Sequence, residues 1–193
     1  SYANVDELGT IKYCDDYIDE HINKILKLES VDKIGIQKSK FKIVVDGINS
    51  IGGVAIPKLL DSLNVEVVKI NCNPNGDFAH DPEPLAENLR ELCDAVLENN
   101  ADLGIAVDPD VDRLVFVDEK GKLFSEEYTL VACADYILSQ QKGKTVSNLS
   151  STRALSDVTK KYGESCFSSA VGELNVVKEM KKVSAVIGGE GNG

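Results

Sequence analysis

Two apolar runs of strand length, residues 103–107 and 114–117, lie on either side of the polar segment Asp108-Pro109-Asp110-Val111-Asp112-Arg113. Nearly continuous apolar runs of this length are typical of strands that are buried in a sheet. The pattern therefore predicts a loop that connects two strands and opens at an edge of the sheet.

This loop carries aspartates at alternate positions, Asp108, Asp110 and Asp112, followed directly by Arg113. Carboxylates this close repel one another unless a cation lies among them, and oxygen ligands with no His or Cys nearby favour a hard ion, Mg²⁺ first. Arg113 would neutralise the remaining negative charge, or bind with its planar guanidinium a phosphate that the metal also contacts. The loop therefore indicates phosphoryl chemistry at a magnesium site.

Other interpretations fit part of the loop. A solvated acidic turn is one, although such turns more usually join amphipathic elements. An EF-hand would use Asp108, Asp110 and Asp112 with Glu119, but it needs Gly where Arg113 stands and helices where strands are predicted. A phosphohydrolase that resembles the haloacid dehalogenases would use Asp108 as nucleophile and Asp110 as acid and base. A non-catalytic module that binds a divalent ion or a sugar phosphate is a further alternative.

Composition narrows the choice of partners. A formal net charge of −11 disfavours nucleic acid and anionic membranes, both of which require clustered Lys and Arg. No apolar run approaches the roughly 20 residues needed to cross a bilayer, and no leader pattern is present, so we expect a cytoplasmic protein. The five cysteines are widely spaced, which favours buried free thiols. His80 is expected on the surface of a loop rather than in catalysis.

The order of strand and helix patterns predicts a layered α/β/α fold with a mixed sheet. A strand at 41–45 runs through the glycine-rich turn 46–53 into a helix, and these glycines are expected to permit tight packing of helix against strand. The pattern breaks near residues 140–144, after which short strand and helix units follow. We therefore expect one domain over residues 1–140 and part of a second, similar domain over residues 141–193, a fragment of a longer protein.

Five segments of the chain form a recognisable set: Asp46-Gly47 with Gly52 and Pro57, Asn73 to Phe78 with Pro82-Glu83-Pro84, Ala101 to Arg113, Ala170-Val171-Gly172, and Gly189-Glu190-Gly191-Asn192-Gly193. In order and spacing they resemble motifs of the α-D-phosphohexomutase superfamily, which includes phosphoglucomutase/phosphomannomutase and phosphoglucosamine mutase. The likeness covers most of the chain and corresponds to the second and third domains of that family.

The resemblance implies an intramolecular phosphotransferase that interconverts hexose 1-phosphate and 6-phosphate, of glucose, mannose or glucosamine, through a phosphoserine and a bisphosphorylated intermediate. It implies that Asp108, Asp110 and Asp112 hold Mg²⁺ and that Arg113 contacts the phosphoryl group. The substrate-binding residues that it implies are Glu190, Asn192 and Gly172.

The departures from the family pattern are Pro109 for Gly, Ser125-Glu126-Glu127 for a Gly-Asp pair, and Leu174 for a basic residue. Neither the phosphoserine loop of a first domain nor the phosphate-binding loop of a fourth is found in these residues. The two missing domains are therefore expected partners, and the fragment itself is expected to be inactive.

Overall fold

The computed structural model describes residues 4, 6, 8–14 and 16–191, with Glu126 described by its backbone alone. The chain divides into two compact units after Lys33. In the first unit, helix α1 (Tyr17–Ile25) follows Asp16 at its N-cap and carries an ion pair between Glu20 and Lys24 one turn apart. Helix α2 (Lys33–Ser39) was not predicted, because its sequence lacks a clear apolar periodicity.

The second unit, which includes nearly all of α2, contains a five-stranded mixed sheet. Its strands lie in the order β2-β1-β3-β4-β5, with β1, β2 and β3 parallel and the last two antiparallel. The elements are β1 (Lys42–Asp46), α3 (Gly52–Asp61), β2 (Glu66–Ile70), α4 (Arg90–Glu98), β3 (Leu103–Val107), β4 (Leu114–Asp118) and β5 (Leu123–Phe124).

Helices α3 and α4 cover opposite faces of this sheet. A Cβ built on Gly104 would meet Leu92 and Val96 of α4, whereas one built on Gly52 of α3 would meet Val107. Residues 104 and 107 point to opposite faces because side chains alternate along a strand. The α4 side holds the main apolar core, formed by Val44, Leu89, Leu92, Ala95, Val96, Ala101, Ala106, Val115 and Val117.

The predicted role of the glycine-rich turn is confirmed. A Cβ on Gly47 would lie 2.4 Å from the Cα of Gly53, and one on Gly53 would lie 2.6 Å from the Cα of Cys72. Both distances are too short for any side chain, so the turn brings backbone against backbone at the start of α3.

A three-stranded parallel sheet, in the order β7-β6-β8, follows the long helix α5 (Glu126–Gln140). Its elements are β6 (Thr145–Asn148), α6 (Ala154–Lys161), β7 (Cys166–Ser169), α7 (Glu173–Val183) and β8 (Ile187–Gly189). All four residues of β6 are buried. The fold is therefore the predicted α/β class, with a mixed sheet followed along the chain by a smaller parallel sheet.

One local prediction about the cysteines was wrong. The five cysteines are free, as predicted, but they are not buried: Cys14 and Cys133 are exposed and the other three are partly exposed.

Candidate functional site

The acidic loop begins directly after β3, at the carboxyl edge of the mixed sheet. Its first aspartate, Asp108, is buried with 7% of its surface exposed, because it follows the buried end of the strand. Asp110 and Asp112 are exposed, and one carboxylate oxygen from each of the three aspartates lies within 4.8 Å of the others. The structure thus brings together the three residues that the sequence singled out.

Backbone groups of the same loop fix the Asp108 carboxylate. Its Oδ1 accepts hydrogen bonds from the backbone N–H groups of Asp112, at 3.0 Å, and Arg113, at 3.1 Å. The Ser50 hydroxyl donates to the carbonyl oxygen of Pro109 at 2.6 Å and ties the loop to the turn before α3. Val111 has a φ of +62°, a left-handed conformation that strains a β-branched residue. The loop is therefore held in one shape by its own hydrogen bonds and by its neighbour.

Arg113 lies at the end of this loop and makes an ion pair with Glu83. The distance from Nη1 to Oε1 is 3.0 Å, and the two side chains are 39% and 54% exposed. The hydrogen bond to Glu83 raises the pKa of the guanidinium, so Arg113 is charged at every physiological pH. Sequence reasoning did not assign Glu83 a role, since only the tertiary fold brings residues 83 and 113 together.

A cavity of about 560 Å³ separates the acidic loop from α7 and β8. Acids outnumber bases on its walls, so a phosphate group would be repelled there unless a cation offset the carboxylates. This donor set, oxygen ligands with one arginine, fits a hard divalent ion such as Mg²⁺. The lining residues are Asp112, Arg113, Glu173, Val176, Val177, Met180, Gly188, Gly189 and Glu190.

Glu190 and Gly172, two of the predicted substrate-binding residues, contact each other. The Glu190 Oε1 accepts the backbone N–H of Gly172 at 2.7 Å and a short hydrogen bond from the Asn148 side-chain amide. Gly172 has a φ of +111°, which favours glycine. Glu190 is therefore a held side chain on a cavity wall and not an exposed turn acid.

The third predicted substrate-binding residue, Asn192, lies outside the described residues. Asn148 was missed by sequence reasoning. Its position at the carboxyl end of β6 was the available signal, because ligand-binding side chains in α/β folds concentrate there.

His80 lies in the loop after β2, as predicted, but its side chain is only partly exposed. Its Nε2 lies 3.0 Å from Oδ2 of Asp46, and the two side chains are 17% and 1% exposed. Its Nδ1 lies 2.8 Å from the carbonyl oxygen of Asp81. Burial alone would lower the pKa of His80, but the hydrogen bonds to Asp81 and Asp46 and the charges of Asp46 and Glu91 raise it on balance.

Two family models match the chain. The model described as phosphoglucomutase/phosphomannomutase, alpha/beta/alpha domain II, matches residues 15–121, and the model of domain III matches residues 125–193. The chain belongs to the phosphoglucomutase/phosphomannomutase family.

Curated proteins that resemble the chain carry names from the same family. The chain is 34% identical to a probable phosphoglucosamine mutase of Methanopyrus kandleri, with 100% of the chain and 42% of that protein covered. It is 35% identical to a phosphoglucomutase/phosphomannomutase of Thermococcus kodakarensis, over 99% of the chain and 42% of that protein. The chain thus spans about two fifths of the length of the curated relatives that it matches.

Solved structures show the same fold. A putative phosphomannomutase from Thermus thermophilus superposes with a TM-score of 0.79 at 23% identity, covering 92% of this chain and 41% of that one. A phosphoglucomutase/phosphomannomutase family protein from Burkholderia thailandensis gives 0.77 at 23% identity, over 91% of this chain and 38% of that one. Among the residues that the structure describes, no helix has the length and apolar character needed to cross a bilayer.

Proposed function

We propose that the chain is part of a phosphohexomutase that moves a phosphoryl group between the 1- and 6-positions of a hexose phosphate. Membership of the family supports this reaction, and the names of the relatives support glucose, mannose or glucosamine as the sugar. Regions equivalent to the first and fourth domains of the relatives would complete the site and supply the phosphoserine. Residues 1–140 would form the second domain of such an enzyme, and residues 141–193 would form part of the third.

The observation that carries the proposal is the clustering of three aspartates beside an arginine, with Asp112 and Arg113 on the wall of one cavity. Asp108, Asp110 and Asp112 would hold Mg²⁺, with one oxygen of each carboxylate close enough to share an ion. When bound, the ion would neutralise charge on the phosphoryl oxygens. Phosphoryl transfer requires such neutralisation and alignment more than it requires a strong base.

The other residues of the chain would orient the substrate. Arg113, at the end of the same loop, would bind phosphoryl oxygens with its guanidinium. Glu190 would accept hydrogen bonds from sugar hydroxyls on the opposite wall of the cavity, because Gly172 and Asn148 already hold its Oε1 in place. Gly172 contributes by fixing Glu190, and Asn192 remains a predicted contact of the sugar.

The comparisons favour the mutase over the hydrolase alternative, because the family models and the named relatives belong to mutases. In the hydrolase Asp108 would attack the phosphate as nucleophile, whereas in the mutase its carboxylate would be a ligand of the metal. Trapping of an aspartyl phosphate at Asp108 would overturn this choice.

Calorimetric titration with Mg²⁺ tests the metal site. We expect measurable, weak binding by the wild type and an affinity at least about tenfold lower for Asp110→Asn, since one hard oxygen ligand is lost. Asp94→Asn on α4 is the matched control, because it removes the same charge from an exposed position away from the loop. Equal binding by the wild type and Asp110→Asn would contradict the site.

The reaction itself is tested in a chimera. The matching two fifths of the Thermococcus kodakarensis protein would be replaced by this chain and assayed for conversion of glucose 1-phosphate to glucose 6-phosphate. Turnover that falls about 100-fold or more with Asp110→Asn would support the proposal. A folded chimera without turnover on glucose, mannose or glucosamine phosphates would contradict it.

A further inference from the structure

His80 lies between two hydrogen-bond acceptors, one at each ring nitrogen. Nδ1 faces the carbonyl oxygen of Asp81 at 2.8 Å, and Nε2 faces Oδ2 of the buried Asp46 at 3.0 Å. A neutral imidazole carries one N–H, so in either tautomer one ring nitrogen would turn a lone pair toward an oxygen. Only the doubly protonated ring donates to both partners.

The charges around the ring favour this cation. Asp46 comes from β1, and its Oδ1 is held by the backbone N–H of Ile48 at 3.0 Å. Asn71 donates to Asp46 at 3.4 Å and to Glu91, in the first turn of α4, at 3.2 Å. The ionisable side chains that act on the ring are therefore Asp46 and Glu91, both acids, and the loop adds the Asp81 carbonyl oxygen. The ring anchors its loop to the carboxyl end of β1.

This anchor lies three residues before Glu83, the partner of Arg113. Pro82 and Pro84 flank Glu83 and fix the backbone φ on either side of it. The N–H of Glu83 also donates to Oδ1 of Asp81 at 3.3 Å. A short, stiff segment therefore connects the ring of His80 to the carboxylate that holds the guanidinium of Arg113 at 3.0 Å.

We propose that His80 is a positioning residue for Arg113, acting through the rigid segment 81–84 and the carboxylate of Glu83. The cationic ring fixes the segment on Asp46, and Glu83 then holds the guanidinium at the mouth of the acidic loop. Loss of the ring proton weakens the anchor and frees Arg113. This role of His80 rests on the proposed function in one respect only, namely that Arg113 binds a phosphate.

Carbon-detected NMR of the guanidinium groups tests this link without substrate or metal. The chain has three arginines, so Arg90→Lys and Arg153→Lys assign the Arg113 signal, and His21→Gln assigns the ring signals of His80. We expect the Arg113 Cζ and Nε shifts to change with pH at the same midpoint as the His80 ring, above 6.5. In Glu83→Gln, the His80 transition should remain while the matching change at Arg113 is lost.

Glu83 is more than half exposed, so Glu83→Gln leaves the core intact, and His80→Asn supplies a second variant in which Arg113 should show no transition. An Arg113 signal that stays constant through the His80 transition in the wild type would overturn the proposal. So would a response that is unchanged in Glu83→Gln. Neither result depends on magnesium binding, so failure here is distinguishable from failure of the proposed function.

Discussion

At the scale of single residues, buried polar side chains at the sheet edge decide the local geometry. Asp46, the last residue of β1, is 1% exposed, and Asp108, which follows β3, is 7% exposed. Each carboxylate has an oxygen that accepts backbone N–H groups of the turn that follows it. Burial of a carboxylate without such partners would be strongly unfavourable, so these bonds explain why both turns keep a single shape.

His80→Gln is expected to destabilise the protein in a pH-dependent way. The pKa of His80 is raised in the folded state, so its contribution to stability is complete below the unfolded-state pKa and is lost as pH rises through the folded-state pKa. Removing the charge-assisted bond to Asp46 should cost about 1.5 to 3 kcal/mol at pH 6 and clearly less at pH 9. Urea unfolding of both proteins at the two pH values measures the difference.

A constant cost across this range would mean that the ring is neutral in the folded state. Other titrating groups are common to both proteins, so they cancel in the difference. His21→Gln is the control, since it removes the other histidine of the chain.

The sequence predicted the residues of the acidic loop but not their partners. The sequence of neighbouring residues was enough to predict that Asp108, Asp110 and Asp112 follow a buried strand, because an apolar run and alternate aspartates are visible within a few consecutive positions. The contacts of Arg113 with Glu83 and of His80 with Asp46 join residues 30 and 34 positions apart. Sequence periodicity does not indicate such contacts, so the sequence predicted that His80 lies in a loop but not that its ring pairs with Asp46.

At the scale of elements, the start of α3 depends on close approach of backbones. Gly53 packs so near Cys72 that a Cβ would lie 2.6 Å from a Cα and 3.0 Å from a carbonyl carbon. Backbone atoms have no alternative rotamer, so relief requires either the helix or the segment that follows β2 to move.

Gly53→Ala should lower the free energy of unfolding by about 1 to 3 kcal/mol, despite the better helix propensity of alanine. Thermal unfolding followed by circular dichroism measures the change. Gly9→Ala is the control, since nothing lies within 4 Å of a Cβ at that position. Equal melting temperatures for the wild type and Gly53→Ala would show that α3 shifts at no cost.

Helix and strand types were largely predictable, and their ends were not. Helix α4 begins at Arg90, although Leu85, Leu89, Leu92 and Val96 are spaced as on one face of a helix, a pattern that by itself indicates an earlier start. Leu85 lies in the preceding loop and is 42% exposed, so its apolar side chain does not mark the buried face of the helix. Helix α2 shows that a helix can also form without an apolar pattern that predicts it, because none of the residues of Lys33–Ser39 is buried.

At the scale of the whole molecule, two sheets follow one another along the chain, with α5 between them. The family models change over between residues 121 and 125, before this helix, while the break in the sequence pattern lies after it. The proposed boundary at residue 140 therefore assigns α5 to the same domain as the first sheet. Helix α5 contacts β4 of that sheet, and it also contacts α6 and β8 of the following region.

Limited proteolysis with trypsin should separate these alternatives. Lys142 is exposed in the segment after α5, whereas the backbone N–H groups of Lys120 and Lys122 are bound to the Asp118 carboxylate in a tight hairpin. Between residues 120 and 144 we expect the first cut at Lys142, as identified by mass spectrometry of the fragments. Earlier cleavage at Lys120 or Lys122 would instead favour a boundary before α5.

The acidic loop is the connection of an antiparallel pair, and this has a use in protein engineering. Val107 is paired with Leu114, so residues 108–113 begin and end at adjacent rungs of the same ladder. A replacement segment of the same length would inherit these fixed ends, and little entropy is lost in closing so short a span. The β3–β4 connection is therefore a suitable position for grafting loops with other ligand sets, and the sheet would serve as their scaffold.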